Sequence, residues 1–353
     1  RFSFEYGVLL GVIPFCALIG NFIWGLFSKN LKKNLLLVKI IISLESIAML
    51  LFITIGNDFV TLLISTILFG LFNSPCFSMQ DGIGSTYSKE ENVPYQSIRY
   101  MGSCGYLFAL IVGAGLISLF KNNYVYIFLI ALILNLICLI LWFFIKPFEN
   151  VTSEEKKKVT FLETISNKTF ILYFIAYVLI IGCSNVADSY LFSRLLEANI
   201  QEYQYSLVFA SEVLLEIIVL IMSTRFLKEK YYVMFLKISV SILCLRSLLL
   251  GLDLPLPFLI SFACLRGIGW GGFLSVHILI LRKIVSNKLI TKAISLLTVA
   301  LSLVNGLMTL FGTKIYSFLG INNFYLLLGG IQLIGIIIIF VMKFKFKEGC
   351  INK

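Results

Sequence analysis

Residues 124–145 read YVYIFLIALILNLICLILWFFI, a run without one Asp, Glu, Lys or Arg. Crossing the hydrocarbon core of a bilayer takes about 20 apolar residues, and this run is long enough. Its residues do not alternate between apolar and polar, so it lacks the period of a barrel strand. Lipid offers no partners for open backbone groups, which leaves the helix as the spanning element. Working outward, comparable runs fall at 6–27, 35–55, 59–81, 100–120, 169–192, 203–224, 232–251, 256–281, 290–316 and 322–342. About eleven transmembrane helices account for nearly all of the 353 residues. Composition agrees: 59% of residues are hydrophobic and 13% are charged, where a soluble domain carries about 25% charged residues. Mean hydropathy is +0.98. The chain is therefore expected to be an all-α integral membrane protein.

The net charge of +11 does not point to nucleic acid, because the Lys and Arg residues sit in loops beside apolar helices, where they set topology. Loops rich in Lys and Arg alternate with loops that are poor in them. The rich set includes Lys29, Lys32 and Lys33; Lys156, Lys157 and Lys158; Arg225, Lys228 and Lys230; Arg282, Lys283, Lys288 and Lys292; and the C-terminal tail. By the positive-inside rule this set is cytoplasmic, with the start of the chain outside and its C-terminus inside. The expected location is the plasma membrane. The polar stretch 146–168 reads as a cytoplasmic linker. It separates a first bundle of five helices, residues 1–145, from a second of six helices and a basic tail, residues 169–353. Asn150 and Asn167 begin glycosylation triplets, but both lie on the expected cytoplasmic side and read as chance. Eight cysteines show no CxxC pair or metal-ligand spacing. The single histidine excludes a histidine metal cluster within one chain. No cofactor is expected.

A charge at mid-membrane costs roughly 2.5–3.5 kcal/mol on insertion scales, so charges inside the runs are the informative residues. The candidates are Asp81, Arg99, Asp188, Glu212, Glu216, Arg246 and Arg266. Asp81 lies as many residues from the outer loop at Phe59 as Arg99 lies from the outer loop at Lys121. The two reach similar depth on adjacent antiparallel helices, either as a pair or as interfacial residues reaching for water. Arg99, Gly102 and Tyr106 share one helix face. Glycine allows close approach of a helix or ligand, and an arginine with a nearby ring suits a sugar or base. In the second half, residue counting places Glu212 and Arg266 near mid-depth and Asp188 and Arg246 in the outer third. Glu212 and Glu216 are four apart and share a face, where one of two like charges tends to take up a proton. Static ion pairs that lock helices are the structural alternative. Gly267-Ile268-Gly269-Trp270-Gly271-Gly272 matches GxGxxG, but no strand precedes it, so it reads as helix packing rather than a dinucleotide site. His277, further along that helix, is a candidate proton relay or a core residue.

Trp24-Gly25-Leu26-Phe27-Ser28-Lys29-Asn30-Leu31-Lys32-Lys33 resembles the Gly-rich basic loop between helices two and three of the major facilitator superfamily. Lys29 stands where that loop usually carries an acid. The resemblance implies two pseudo-symmetric six-helix bundles, with the family's first helix missing from this chain. Gln96-Ser97-Ile98-Arg99-Tyr100-Met101-Gly102-Ser103-Cys104-Gly105-Tyr106 is similar to the start of helix five in the branch of lactose, nucleoside and phenylpropionate permeases. It implies that Arg99 and Asp81 bind solute hydroxyls while Tyr106 stacks on the solute ring. Ser211-Glu212 resembles the acid-bearing stretch of helix eight, Leu245-Arg246-Ser247 the arginine of helix nine, and Asp188 lies where helix seven often carries an acid. Lactose permease has a His and a Glu on helix ten, and the matching stretch from Arg266 to Gly272 has neither. That leaves Glu212 or Asp188, with Arg246 and Arg266, for proton coupling.

The resemblance implies a secondary transporter and not an enzyme: a proton-coupled symporter of a small polar solute, sugar or nucleoside, working as a monomer in the lipid bilayer. An exporter of hydrophobic compounds on the same fold, a non-transporting sensor or fragment, and a membrane enzyme are the rival readings.

Overall fold

Leu, Ile, Val and Phe leave no polar stripe on the long runs, and a helix closes its own backbone hydrogen bonds wherever water is absent. The computed structural model describes residues 4–27, 31–54, 58–91, 95–120, 125–146, 167–285 and 290–342. Among them every regular element is helical. The order is α1 (Phe4–Phe27), α2 (Leu31–Thr54), α3 (Phe59–Glu90), α4 (Tyr95–Leu119), α5 (Val125–Phe144), α6 (Lys168–Tyr177), α7 (Cys183–Ser189), α8 (Leu191–Glu197), α9 (Glu202–Phe226), α10 (Tyr232–Leu250), α11 (Leu256–Ile284), α12 (Ile290–Leu319) and α13 (Ile321–Val341). Among the described residues ten spans are long and apolar enough to cross a membrane, and an eleventh results when the two arms of α12, bent by 47°, count as one. Large apolar side chains face outward throughout, among them Leu119 at 77% and Phe144 at 76% exposure. In water such a surface would drive aggregation; against acyl chains it is the solvated surface.

Two expected runs differ in detail. The run 59–81 belongs to a helix that continues to Glu90, because hydropathy registers the hydrocarbon segment and not the polar turns beyond it. The run 169–192 is not one regular helix. A π-helical turn, Val178–Gly182, joins α6 to α7, and the chain breaks again at Tyr190 before α8.

The chain divides into two compact units: Arg1–Gly102 with Val112–Lys156 and Gly306–Thr313, and Ser103–Ile111 with Lys157–Asn305 and Lys314–Lys353. The expected linker falls largely on residues 147–166, which lie outside the described residues. In the first unit α2 packs on α3 and α5. Val38, Ile41 and Ile42 of α2 meet Cys76 and Ile83 of α3, with Leu139 and Trp142 of α5 against them. On the α1–α3 contact, Asn21 donates to the Ser74 hydroxyl at 2.8 Å.

In the second unit α11 is held between α9 and α10, and the reason is its glycines. Gly267 and Gly271 abut the backbone of α9 at Glu212 and Glu216, while Gly269 and Gly272 abut Leu243 and Ser239 of α10. The GxGxxG match is therefore a packing surface on two faces of one helix. Asn167 caps α6, accepting from the amides of Thr169 and Phe170 at 3.0 and 3.4 Å, and donates to the Ile284 carbonyl at 2.9 Å. Its triplet thus has a structural use. Arg194, buried at 4% exposure, donates to the carbonyls of Leu250 and Leu252 at 2.8 Å. It closes the C-terminal end of α10, where cations suit the helix dipole.

Candidate functional site

The irregular span of the second unit carries Asp188 near the end of α7. A π turn leaves carbonyls off the regular ladder, and such turns recur at functional sites. Here α13 props the irregular backbone. Gln332 donates to the Ile180 carbonyl at 3.2 Å, and the Tyr325 hydroxyl donates to the Ala187 carbonyl at 2.7 Å. Both props are fully buried. Asp188 is fixed from the residue beside it.

Three further charges converge on Asp188. Arg246 of α10 donates to one carboxylate oxygen at 2.6 Å, and Arg266 of α11 donates to the other at 2.5 Å. Glu212 of α9 completes the group, 3.8 Å from Arg246 and 3.7 Å from Arg266. Two acids thus face two guanidiniums, and the formal charges cancel. Arg246 and Glu212 are completely buried, whereas Asp188 and Arg266 keep 14% and 15% side-chain exposure. Arg246 is anchored further by donating to the Ala263 carbonyl at 3.2 Å.

The two acids are not equivalent. Asp188 accepts a charge-assisted hydrogen bond on each oxygen, the strong kind. Both Glu212 oxygens and one terminal nitrogen of Arg246 are buried without a hydrogen-bond partner. Glu212 is held by proximity of charge alone. A buried ionised group in that position is costly.

Aromatic rings border the exposed side of this cluster. The Arg266 guanidinium lies 5.2 Å from the Phe209 ring centroid and 5.8 Å from that of Trp270. Phe209 meets Tyr205 at 6.1 Å, and Tyr106 at 6.2 Å edge-on. Tyr106 belongs to the α4 segment that groups with the second unit, and half of it is exposed. Among the described residues, no atom lies within 4 Å of a Cβ built on Gly102.

The expectation of two depths in this half is corrected. Asp188 and Arg246, placed in the outer third by counting residues, form one cluster with Glu212 and Arg266. The helical segments past Asp188 run on to Glu197, beyond the apolar run that set the count, and the long arginine arms span the remaining difference. Glu216 sits one turn on, its carboxylate 3.5 Å from the Ser103 hydroxyl. The side chains of Asp81 and Arg99 lie outside the described residues, as does Lys29. His277 is packed among Tyr173, Tyr177 and Phe273, with ring centroids 4.9–5.9 Å away, and shares a 2.7 Å hydrogen bond with the Tyr173 hydroxyl. It is a core histidine.

Sequence reasoning passed over one intramembrane acid. Glu45 lies within α2 at 5% exposure and accepts a 2.7 Å hydrogen bond from Asn73. The signal was available: Glu45 is the one acid between Leu31 and Thr54.

A family model described as "MFS_1 like family" matches residues 3–326. Among curated proteins none matches. Solved structures similar to the chain include the nucleoside transporter NupG, with a TM-score of 0.73, 14% identity, and coverage of 96% of this chain and 91% of that one. A point mutant of NupG gives a TM-score of 0.75 at 13% identity, covering 95% and 90%. At such identities the likeness is one of fold.

Proposed function

This chain belongs to the MFS_1 like family, whose members share the major facilitator fold of membrane transporters, and we propose that it moves a small polar solute together with H⁺ by alternating access. The carrying observation is the cluster of Asp188, Glu212, Arg246 and Arg266. A static lock between helices would have its polar atoms satisfied, and a buried ion pair is weak evidence for stability in any case. Here one acid is clamped and the other has both oxygens without a donor. That difference suits a group that gains and loses a proton.

The division of labour follows. Glu212 carries the proton. With Glu212 neutral, two guanidiniums share the single charge of Asp188, and the partly exposed Arg266 is freed to meet a solute oxygen. Return of the charge on Glu212 draws Arg266 back. Asp81, Arg99 and Tyr106 bind the solute, with Gly102 giving it room. The solute class is nucleoside or sugar. The aromatic rings around Arg266 favour a solute with a planar ring and hydroxyls, and the fold relative NupG is a nucleoside transporter. The working unit is a monomer in the plasma membrane, and the Lys and Arg distribution supports a cytoplasmic C-terminus.

The test uses the purified chain in liposomes, with external pH recorded as nucleosides or sugars are added. Solute-dependent alkalinisation outside the vesicles is the expected result. It should vanish in Glu212→Gln while solute exchange across the membrane continues. Uptake that proceeds without any pH change removes proton coupling. Unchanged uptake in both Asp81→Ala and Arg99→Ala removes the solute-site assignment.

A further inference from the structure

The first unit contains a buried polar node that the reading above does not use. Glu45 lies near the middle of the Lys32–Thr54 span, Asn73 near the middle of Phe59–Gly84, and Asn135 near the middle of Val125–Phe144. Three helices thus bring a polar side chain to the same level of the bilayer. Asn73 donates to a Glu45 carboxyl oxygen at 2.7 Å. Asn135 donates to the Ser46 hydroxyl at 3.2 Å, and Ser46 donates to the Ile42 carbonyl at 2.9 Å. Glu45 and Ser46 are each 5% exposed, one helical turn on from the buried Ile41 and Ile42.

What distinguishes this acid is the company it keeps. In the second unit each acid of the cluster has an arginine within 4 Å. Among the described residues no Lys or Arg pairs with Glu45. Lys39 on the same helix is turned away, its ammonium 4.6 Å from the Phe143 ring. The titratable neighbours on the packed helices are Cys76 on α3 and Cys138 on α5, and a cysteine offers no positive charge. Neutral amides and a hydroxyl can satisfy a carboxylic acid in the middle of a bilayer, whereas they leave a carboxylate uncompensated at a cost of roughly 2.5–3.5 kcal/mol. A glutamine would fill the same space and keep the same acceptor without that liability. Glutamate adds one capacity, which is to ionise.

We propose that Glu45, held by Asn73 beside Ser46 and Asn135, is a second proton-binding site, contained within the first unit and separate from the Asp188–Glu212 cluster. Glu45 holds a proton while the node is sealed and releases it when the node is wetted. The proposal concerns protonation of Glu45 itself and stands whatever solute is carried.

Infrared difference spectroscopy of the full chain in liposomes, titrated with pH, tests it. A protonated-carboxyl C=O band that bleaches on raising pH should be present in the wild type, lost in Glu45→Gln and retained in Glu212→Gln. Glu45→Gln should keep its melting temperature, because the amide still accepts from Asn73. Should that variant misfold, Asn73→Leu serves instead, shifting the titration midpoint of the band through loss of the donor to Glu45. A band unchanged by these substitutions, or none in the wild type, overturns the proposal. In the transport assay Glu45→Gln should lose proton-driven accumulation and keep solute exchange. If no solute moves with protons yet the Glu45 band titrates, the transport reading fails and this one holds.

Discussion

Gly267 of α11 lies flush against the main-chain carbonyl of Glu212 on α9: a methyl group built on Gly267 would overlap that oxygen and sit 2.8 Å from the Leu215 Cβ. The absence of a side chain at Gly267 sets how near Arg266, its neighbour in sequence, comes to Glu212.

Gly267→Ala should therefore force the two helices apart at the charge cluster. Overpacking of a fitted contact costs about 1–3 kcal/mol. A lower melting temperature in detergent and a loss of proton-coupled uptake are expected together. Gly330→Ala is the control, since a Cβ at Gly330 meets nothing within 4 Å. Equal behaviour of the two variants in thermal melts and uptake would show that the contact is not limiting.

Arg246 is fully buried between Asp188 and Glu212. Arg246→Ala leaves two acids facing Arg266 alone. Breaking a buried pair in this way costs about 3–5 kcal/mol. Replacing Asp188 by Ala as well should restore much of the loss, because a single acid then faces a single guanidinium. Thermal denaturation of the two single variants and the double gives the coupling energy. Simple additivity would mean that the two residues do not interact.

His277 offers the opposite expectation. Its hydrogen bond to Tyr173 and its aromatic surroundings make it a packing residue, remote in role from the charge cluster. His277→Phe should leave the proton-to-solute ratio unchanged while costing about 1 kcal/mol for the orphaned Tyr173 hydroxyl. Adding Tyr173→Phe should recover stability. A changed ratio in flux measurements would return His277 to the proton path.

The helical, membrane-spanning character of the chain was legible residue by residue, because apolar runs of this length have one stable conformation in lipid. Asp188, Glu212, Arg246 and Arg266 were legible too, since charge inside such a run is conspicuous. Their meeting was not. Counting residues put Asp188 and Arg246 at one depth and Glu212 and Arg266 at another, because the apolar run ends before the helical segment that continues to Glu197 and because a count ignores how far an arginine side chain reaches. The glycines at 267–272 were read rightly as packing, but which neighbour each one meets follows from the order of helices around α11. Glu45 was visible in the sequence as a lone acid, yet its significance lies in Asn73 and Asn135 standing level with it on other helices.

By itself, then, the sequence determined that this chain spans a membrane many times as helices and which residues carry an expensive charge there; these are local properties, set by burial cost and by the helix's own hydrogen bonds. Only the tertiary structure decided that Asp188 is clamped by two guanidiniums while Glu212 receives no hydrogen bond, and that Glu45 has amides for neighbours. Distance and partner are relations between helices far apart in the chain, fixed by how glycines, an irregular turn and side-chain reach bring them together.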